Sequence, residues 1–418
     1  MTVFGVIWLI IVAVCFCMKD IRYMIGVTLA GMLFQCNNVI ELSNGISCGP
    51  QLITSFLFIL RTMKYKKTNE NKQKNEKYPY IIIFFIYIFL NLFIFYRGGF
   101  YRNIFKIIQL LIYVITFYRM KFVSICINEK ILDKCIKIIT YIIIGVGILQ
   151  LCVAIFDLPR ESIIKTLFYN DDSNITNVYY YKTSVRFYST FMEPSFVAGL
   201  LVGLFMYFFA KKKRTRGEMF LLASLLIAIL LTLSSTAYAV LLLVAMVYAM
   251  KNLKKKNTWT YILLGGMLIL ALALTTDVLD KVIFEKSSTA SARVRNMWNK
   301  RAYNQFLVHP VFGNGYESLR ASSIIFDILG ELGVIGLVLY AKFYWDLLKG
   351  FFFKKESSTF ETVCYLILAI FLSQVIACPD LNLSSFWIAI YIFGLATNFK
   401  NKVIEGENYE KDRNNYIS

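Results

Sequence analysis

The chain has 418 residues, of which 58% are hydrophobic and only 17% charged, too little polar surface to hold a domain of this size in water. Its net charge of +19 sits mostly in short Lys/Arg clusters between apolar runs. Membrane proteins fix their orientation in this way, and the pattern argues against nucleic acid as a partner.

A membrane-spanning helix needs about 20 mostly apolar residues. Runs of this kind predict spans near 3–17, 21–36, 47–61, 79–96, 104–119, 136–156, 194–210, 218–233, 236–250, 258–275, 322–347, 359–378 and 385–399. The first run has no basic segment before it and reads as a retained span rather than a cleaved signal. Basic clusters alternate with the spans: Lys64 to Lys77, Arg119 to Lys134, Lys211 to Arg216, Lys251 to Lys256, Lys349 to Lys355, and Lys400 with Lys402. The positive-inside rule assigns all of these to the cytoplasm. Segments 157–193 and 276–321 then fall outside, with amphipathic stretches such as Arg293 to Phe306 that predict short surface helices. Gly199 and Gly203, one helical turn apart, permit close helix contact.

The expected fold is therefore an all-α polytopic membrane protein with about 11–13 transmembrane helices and two long extracytoplasmic loops containing short helices. Six prolines and no Gly/Ser linker favour a single transmembrane domain over 1–418, closed by a polar cytoplasmic tail at 400–418. No internal repeat is visible, so the inverted-repeat signature of transporters is missing. Nine cysteines are scattered without metal-ligand spacing, and nothing in the sequence supports a Cys36–Cys48 disulfide. Neither a metal nor a cofactor is expected.

The two outer segments carry more charge than topology requires. Arg186 lies in the first; Arg293, Arg295 and Arg320 lie in the second. They read either as a solvated surface or as an outward-facing anion site, for which the planar, always-charged guanidinium is suited. Glu193 precedes Pro194 at the mouth of a span, where it reads as a helix cap or as an ionised group beside Arg186. Ser234 and Ser235 mark the outer turn between two spans and read as helix-end partners or as substrate contacts. His309-Pro310-Val-Phe-Gly313-Asn-Gly315-Tyr316 reads as a tight turn, or as a loop whose glycines bring backbone N–H groups to an anion. His309 is the sole histidine and can act as acid or base near neutral pH. Asp327 and Glu331 share one helix face, and a carboxylate inside an apolar segment is usually functional.

In this order, Arg186 with Glu193-Pro194, the Ser234-Ser235-Thr236 turn, Arg293 with Trp298, the His309-to-Gly315 turn and Glu331-Leu-Gly333-Val-Ile-Gly336 resemble the O-antigen and capsular polysaccharide polymerase family (Wzy-type), related to the O-antigen ligases. The resemblance runs from about Arg186 to Tyr340. Two departures stand out. Thr236 occupies a place where many relatives carry arginine, and Ser322-Ser323 stands where ligase-type relatives carry a His-Asn pair; the second leans the reading toward polymerase.

The resemblance implies an enzyme of the bacterial plasma (inner) membrane that joins polyprenyl-diphosphate-linked oligosaccharides, with membrane lipid, a flippase and a chain-length regulator as partners. It implies catalytic roles among Arg186, Glu193, Arg293, His309 and Glu331. It implies substrate binding by Arg295, Ser234, Ser235, Gly313, Gly315, Tyr316 and Arg320. A ligase and a non-enzymatic lipid-glycan flippase are the competing readings.

Overall fold

The structure, a computed structural model, describes residues 3–35, 37, 39–42, 46–63, 78–94, 100–156, 186–253, 290–353 and 357–399. Thirteen α-helices lie within the described residues: α1 (Val3–Cys17), α2 (Ile21–Gly31), α3 (Pro50–Met63), α4 (Pro79–Ile94), α5 (Phe100–Val123), α6 (Glu129–Ile155), α7 (Pro194–Phe209), α8 (Arg216–Leu231), α9 (Ser235–Lys251), α10 (Ala290–Val308), α11 (Ile324–Phe353), α12 (Ser358–Ile376) and α13 (Ser384–Ala396). Four apolar stretches, Ile104–Cys126, Glu129–Ile155, Ile324–Phe353 and Ser358–Ile376, are long enough to cross a membrane. The chain is an α-helical polytopic membrane protein, and its helices fall where the apolar runs predict them. The amphipathic stretch from Arg293 lies in α10, which packs along α11. The expected span at 258–275, the basic residues Lys64 to Lys77, most of segment 157–193, the first part of 276–321 and the tail at 400–418 lie outside the described residues.

One element departs from the all-helical expectation. Strands β1 (Ile40–Leu42) and β2 (Ile46–Cys48) pair antiparallel between α2 and α3, with Ile40 opposite Cys48. Asn44-Gly45 between β-branched Ile40 and Ile46 is a strong short hairpin signal, masked in a scan for apolar runs. Cys48 is a free thiol.

Local chemistry sets the helix ends. Pro194 opens α7 at a position where its missing N–H costs nothing. Thr215 and Glu218 form a reciprocal capping box on α8, and Asn128 caps α6 through Ile131 N–H at 2.9 Å. Mid-helix, the two glycines of α7 do what their spacing predicts. A Cβ on Gly199 would lie 2.6 Å from Ser373 Cβ, and one on Gly203 would lie 2.3 Å from Leu366 Cδ1, so α7 and α12 pack backbone to backbone.

The two ends of the bundle differ. Beyond the C-terminal end of α7, Lys211 pairs with Asp133 and, at 2.7 Å, with Glu218. Lys137 bonds the same two carboxylates at 2.7 and 3.0 Å, and Tyr207 Oη donates to Asp133 at 3.1 Å. Every charge in this half-buried cluster has an opposite partner, as burial requires. Several of the candidate site residues gather at the other end of α7, about 24 Å away along a helix of 16 residues.

Helix α11 is broken at Gly333, whose φ is 67° and ψ −165°. The break exposes backbone groups that lipid could not satisfy, and the segment after α10 satisfies them. Val334 N–H donates to Pro310 C=O at 2.9 Å, while Asn314 and Gly315 N–H donate to Gly330 and Glu331 C=O, each at 2.9 Å. Contact this close needs glycine on both sides. A Cβ on Gly313 would sit 2.2 Å from the Glu331 carbonyl, and one on Gly333 2.3 Å from Val311 O. Helix α4 holds the assembly from behind: Asn91 Nδ2 donates to Phe312 O at 2.8 Å, Asn91 Oδ1 accepts from Tyr316 N–H at 2.9 Å, and Tyr87 Oη donates to Leu332 O at 2.8 Å.

Candidate functional site

A cavity of about 610 Å³ opens where the ends of α5, α7, α10 and α11 meet the segments 316–322 and 377–383. Two groups of side chains line it.

The first group centres on Glu193. Its backbone is extended at the N-cap of α7, but its carboxylate receives no hydrogen bond from the helix N–H groups. Instead Oε2 accepts from Ser195 Oγ at 3.1 Å and the side chain faces the cavity. Glu193 and Arg295 both act electrostatically on buried Cys378, whose Sγ donates to Ser195 C=O at 3.0 Å. Burial pushes the Cys378 thiol up to about 12 and keeps it protonated. Arg320 lies over Trp298, 4.6 Å from the ring centroid, an arrangement that orients a guanidinium while leaving its N–H edge free to turn toward the cavity.

The second group is richer in acid. Asp327 and Glu331, one turn apart on α11, both reach the cavity. Asp327 Oδ1 accepts from Ala321 N–H at 2.9 Å and Glu331 Oε1 from Leu319 N–H at 3.4 Å, so the loop wraps over both carboxylates. Lys106 of α5 pairs with Glu317 at 2.5 Å, and Asp380 Oδ1 accepts from Asn382 N–H at 2.7 Å. Tyr316 lies buried beneath, accepting from Asn382 Nδ2 at 3.2 Å; burial pushes its phenol well above the ordinary range. Among the described residues, no three His, Cys, Asp or Glu side chains group as metal ligands.

The tertiary structure thus gathers Glu193, Arg295, Tyr316, Arg320 and Glu331 and leaves the other sequence candidates off the cavity wall. Arg186 donates from Nε to Thr232 C=O at 2.9 Å and from Nη2 to Leu233 C=O at 2.8 Å, capping the C-terminal end of α8. It therefore joins the turn of Ser234 and Ser235. Arg293 is exposed. The cavity-facing side of α10 carries Val294, Arg295 and Trp298, and two residues turn a helix by about 200°, so of the two expected arginines Arg295 faces in and Arg293 faces away. His309 follows the far end of α10, about 21 Å along the axis from Arg295. The amides of Gly313 and Gly315 are already bonded, to His309 and Glu331 carbonyls at 2.9 Å, and neither glycine lines the cavity.

Sequence reasoning missed Lys106, Glu317 and Asp380 as cavity residues. A cation within a predicted span was the available signal for Lys106. Glu317 and Asp380 lie in short polar connections and carry no local signature.

The fold and cavity define a multi-pass membrane protein with a charged chamber at one end of its helices. Residues 219–341 match the family model described as O-antigen ligase; this similarity supports a glycan-handling membrane enzyme. That segment supplies Arg295, Trp298, Tyr316, Glu317, Arg320, Asp327 and Glu331 to the cavity. No curated protein and no solved structure matches the chain.

Proposed function

We propose that this chain polymerises polyprenyl-diphosphate-linked oligosaccharide repeat units into O-antigen or capsule on the outer face of the bacterial plasma membrane. The observation that carries the reading is the meeting of Glu193 with Arg295 and Arg320 in one cavity built largely by the O-antigen ligase segment. A sugar hydroxyl of the acceptor unit attacks the anomeric carbon of the donor. The new C–O bond forms as the bond to the diphosphate breaks, and the hydroxyl proton passes to a carboxylate. Glu193 is the base in this scheme, since its carboxylate faces the cavity and caps nothing. Arg295 and Arg320 stabilise the charge that grows on the departing diphosphate. A flippase supplies the lipid-linked units, and a chain-length regulator acts on the product.

The family description favours a ligase as the second reading. Ser322 leans the reading toward a polymerase. It lines the cavity at the place where ligase-type relatives carry histidine, and its N–H is bonded to Asn299 Oδ1 at 2.8 Å. A serine there supplies no group that titrates near neutral pH.

Lipid-linked glycans extracted from a deletion strain test the proposal. Loss of a polymerase leaves single repeat units on lipid at the outer face. Long lipid-linked chains would make the protein a ligase, and single units trapped inside would make it a flippase.

A further inference from the structure

The Lys106–Glu317 pair has no part in the scheme above, yet it faces the same cavity. Lys106 is a cation near the start of an apolar helix, a costly placement that needs a reason. Its side chain remains 34% exposed and that of Glu317 23%, so the pair is open to the chamber rather than sealed. Glu317 is held with a positive φ of 60°, a strained conformation for a residue with a side chain. The docked loop holds it there: Tyr316 N–H is tied to Asn91 and Gly315 N–H to Glu331. Asp380 and Glu331 also act on the lysine's charge. A diphosphate entering here would meet three carboxylates around one ammonium. Arg295 and Arg320 offer it a better seat.

We propose that the Lys106–Glu317 pair is the acceptor-sugar subsite of the cavity, the ammonium donating to and the carboxylate accepting from neighbouring hydroxyls of the glycan to be extended. A sugar hydroxyl is donor and acceptor at once, so two adjacent hydroxyls satisfy an ammonium and a carboxylate held 2.5 Å apart. The surrounding acid excludes a carboxylate-bearing sugar from this position, which makes the accepted residue a neutral or amino sugar. This assignment rests on the polymerase reading, and it places one residue of the N-terminal half in direct contact with substrate.

The test uses full-length protein in nanodiscs and lipid-linked repeat units extracted from the deletion strain. Lys106→Met and Glu317→Gln should each raise KM for the acceptor unit about tenfold, the value of one charged hydrogen bond, with kcat little changed. Binding of undecaprenyl diphosphate, the probe for the donor side, should match the unsubstituted protein in both variants. Lys106→Arg should retain partial acceptor binding. Weakened undecaprenyl diphosphate binding in both variants would make the contact a loop clamp and overturn the proposal, as would an unchanged KM. Loss of undecaprenyl diphosphate binding in Lys106→Met would move the lysine to the donor side. If the unsubstituted protein joins no repeat units, the polymerase reading itself falls, and the subsite with it.

Discussion

Glu193 occupies an N-cap position yet does not cap. Its carboxylate turns to Ser195 and the cavity, so a glutamine of the same shape should leave α7 intact. Glu193→Gln is expected to abolish polymer while the protein stays in the membrane at normal level, read by glycan ladder and immunoblot. Normal chain length from this variant together with lost polymer from Glu331→Gln would transfer the carboxylate role to Glu331. The arginines separate in the same way. Arg295→Ala should lower turnover by about 100- to 1,000-fold, the usual effect of removing one donor to a developing negative charge, with Arg295→Lys partly active because it keeps charge and loses the fork. Arg293→Ala, on the exposed face of α10, should cost far less. Arg186→Ala should instead act on the fold. Two carbonyls at the end of α8 lose their donors, and the variant should melt at lower temperature in detergent, with a stability loss of about 1–3 kcal/mol, chiefly from the carbonyl of buried Thr232.

At the scale of elements, the decisive feature is a loop bonded into a broken helix. Gly313, at φ 76°, and Gly333 each touch the other strand's backbone, so a single methyl group on either forces the two apart. Gly313→Ala and Gly333→Ala should both lose activity and lower the melting temperature, although neither residue lines the cavity. Asn91→Leu removes the two hydrogen bonds that the Asn91 side chain makes with the loop while preserving volume. The expected cost is about 1–3 kcal/mol for the loss of two hydrogen bonds, seen as a lower melting temperature and faster alkylation of a cysteine placed at Ser318. A variant as stable as the parent would show that α4 does not anchor the loop. This element also shows why two readings of the His309-to-Tyr316 turn stay open in the sequence. Glycines that admit an anion and glycines that admit a helix backbone look the same in one dimension; only the partner differs.

For the whole molecule, the charge pattern orients the bundle. The cavity end should face outward and the Lys211–Glu218 cluster inward. Cysteines at Lys300 and Lys212, in a background without other reactive thiols, should label from opposite sides of intact cells; labelling of both by an impermeant reagent would reverse the argument. The spans, the amphipathic α10, the glycine contact between α7 and α12 and the shared face of Asp327 and Glu331 were legible in the sequence. Each depends on spacing within one helix or on hydrophobicity summed over one run, and both are local quantities. The membership of the cavity was not legible. Which of Arg293 and Arg295 faces in depends on how α10 is rotated against α11. Whether Arg186 meets substrate or caps α8 depends on where the end of that helix lies. Lys106 comes within 2.5 Å of Glu317 only because α4 and α5 pack beneath a loop more than 200 residues later in the chain, and no local pattern records contacts made across that distance.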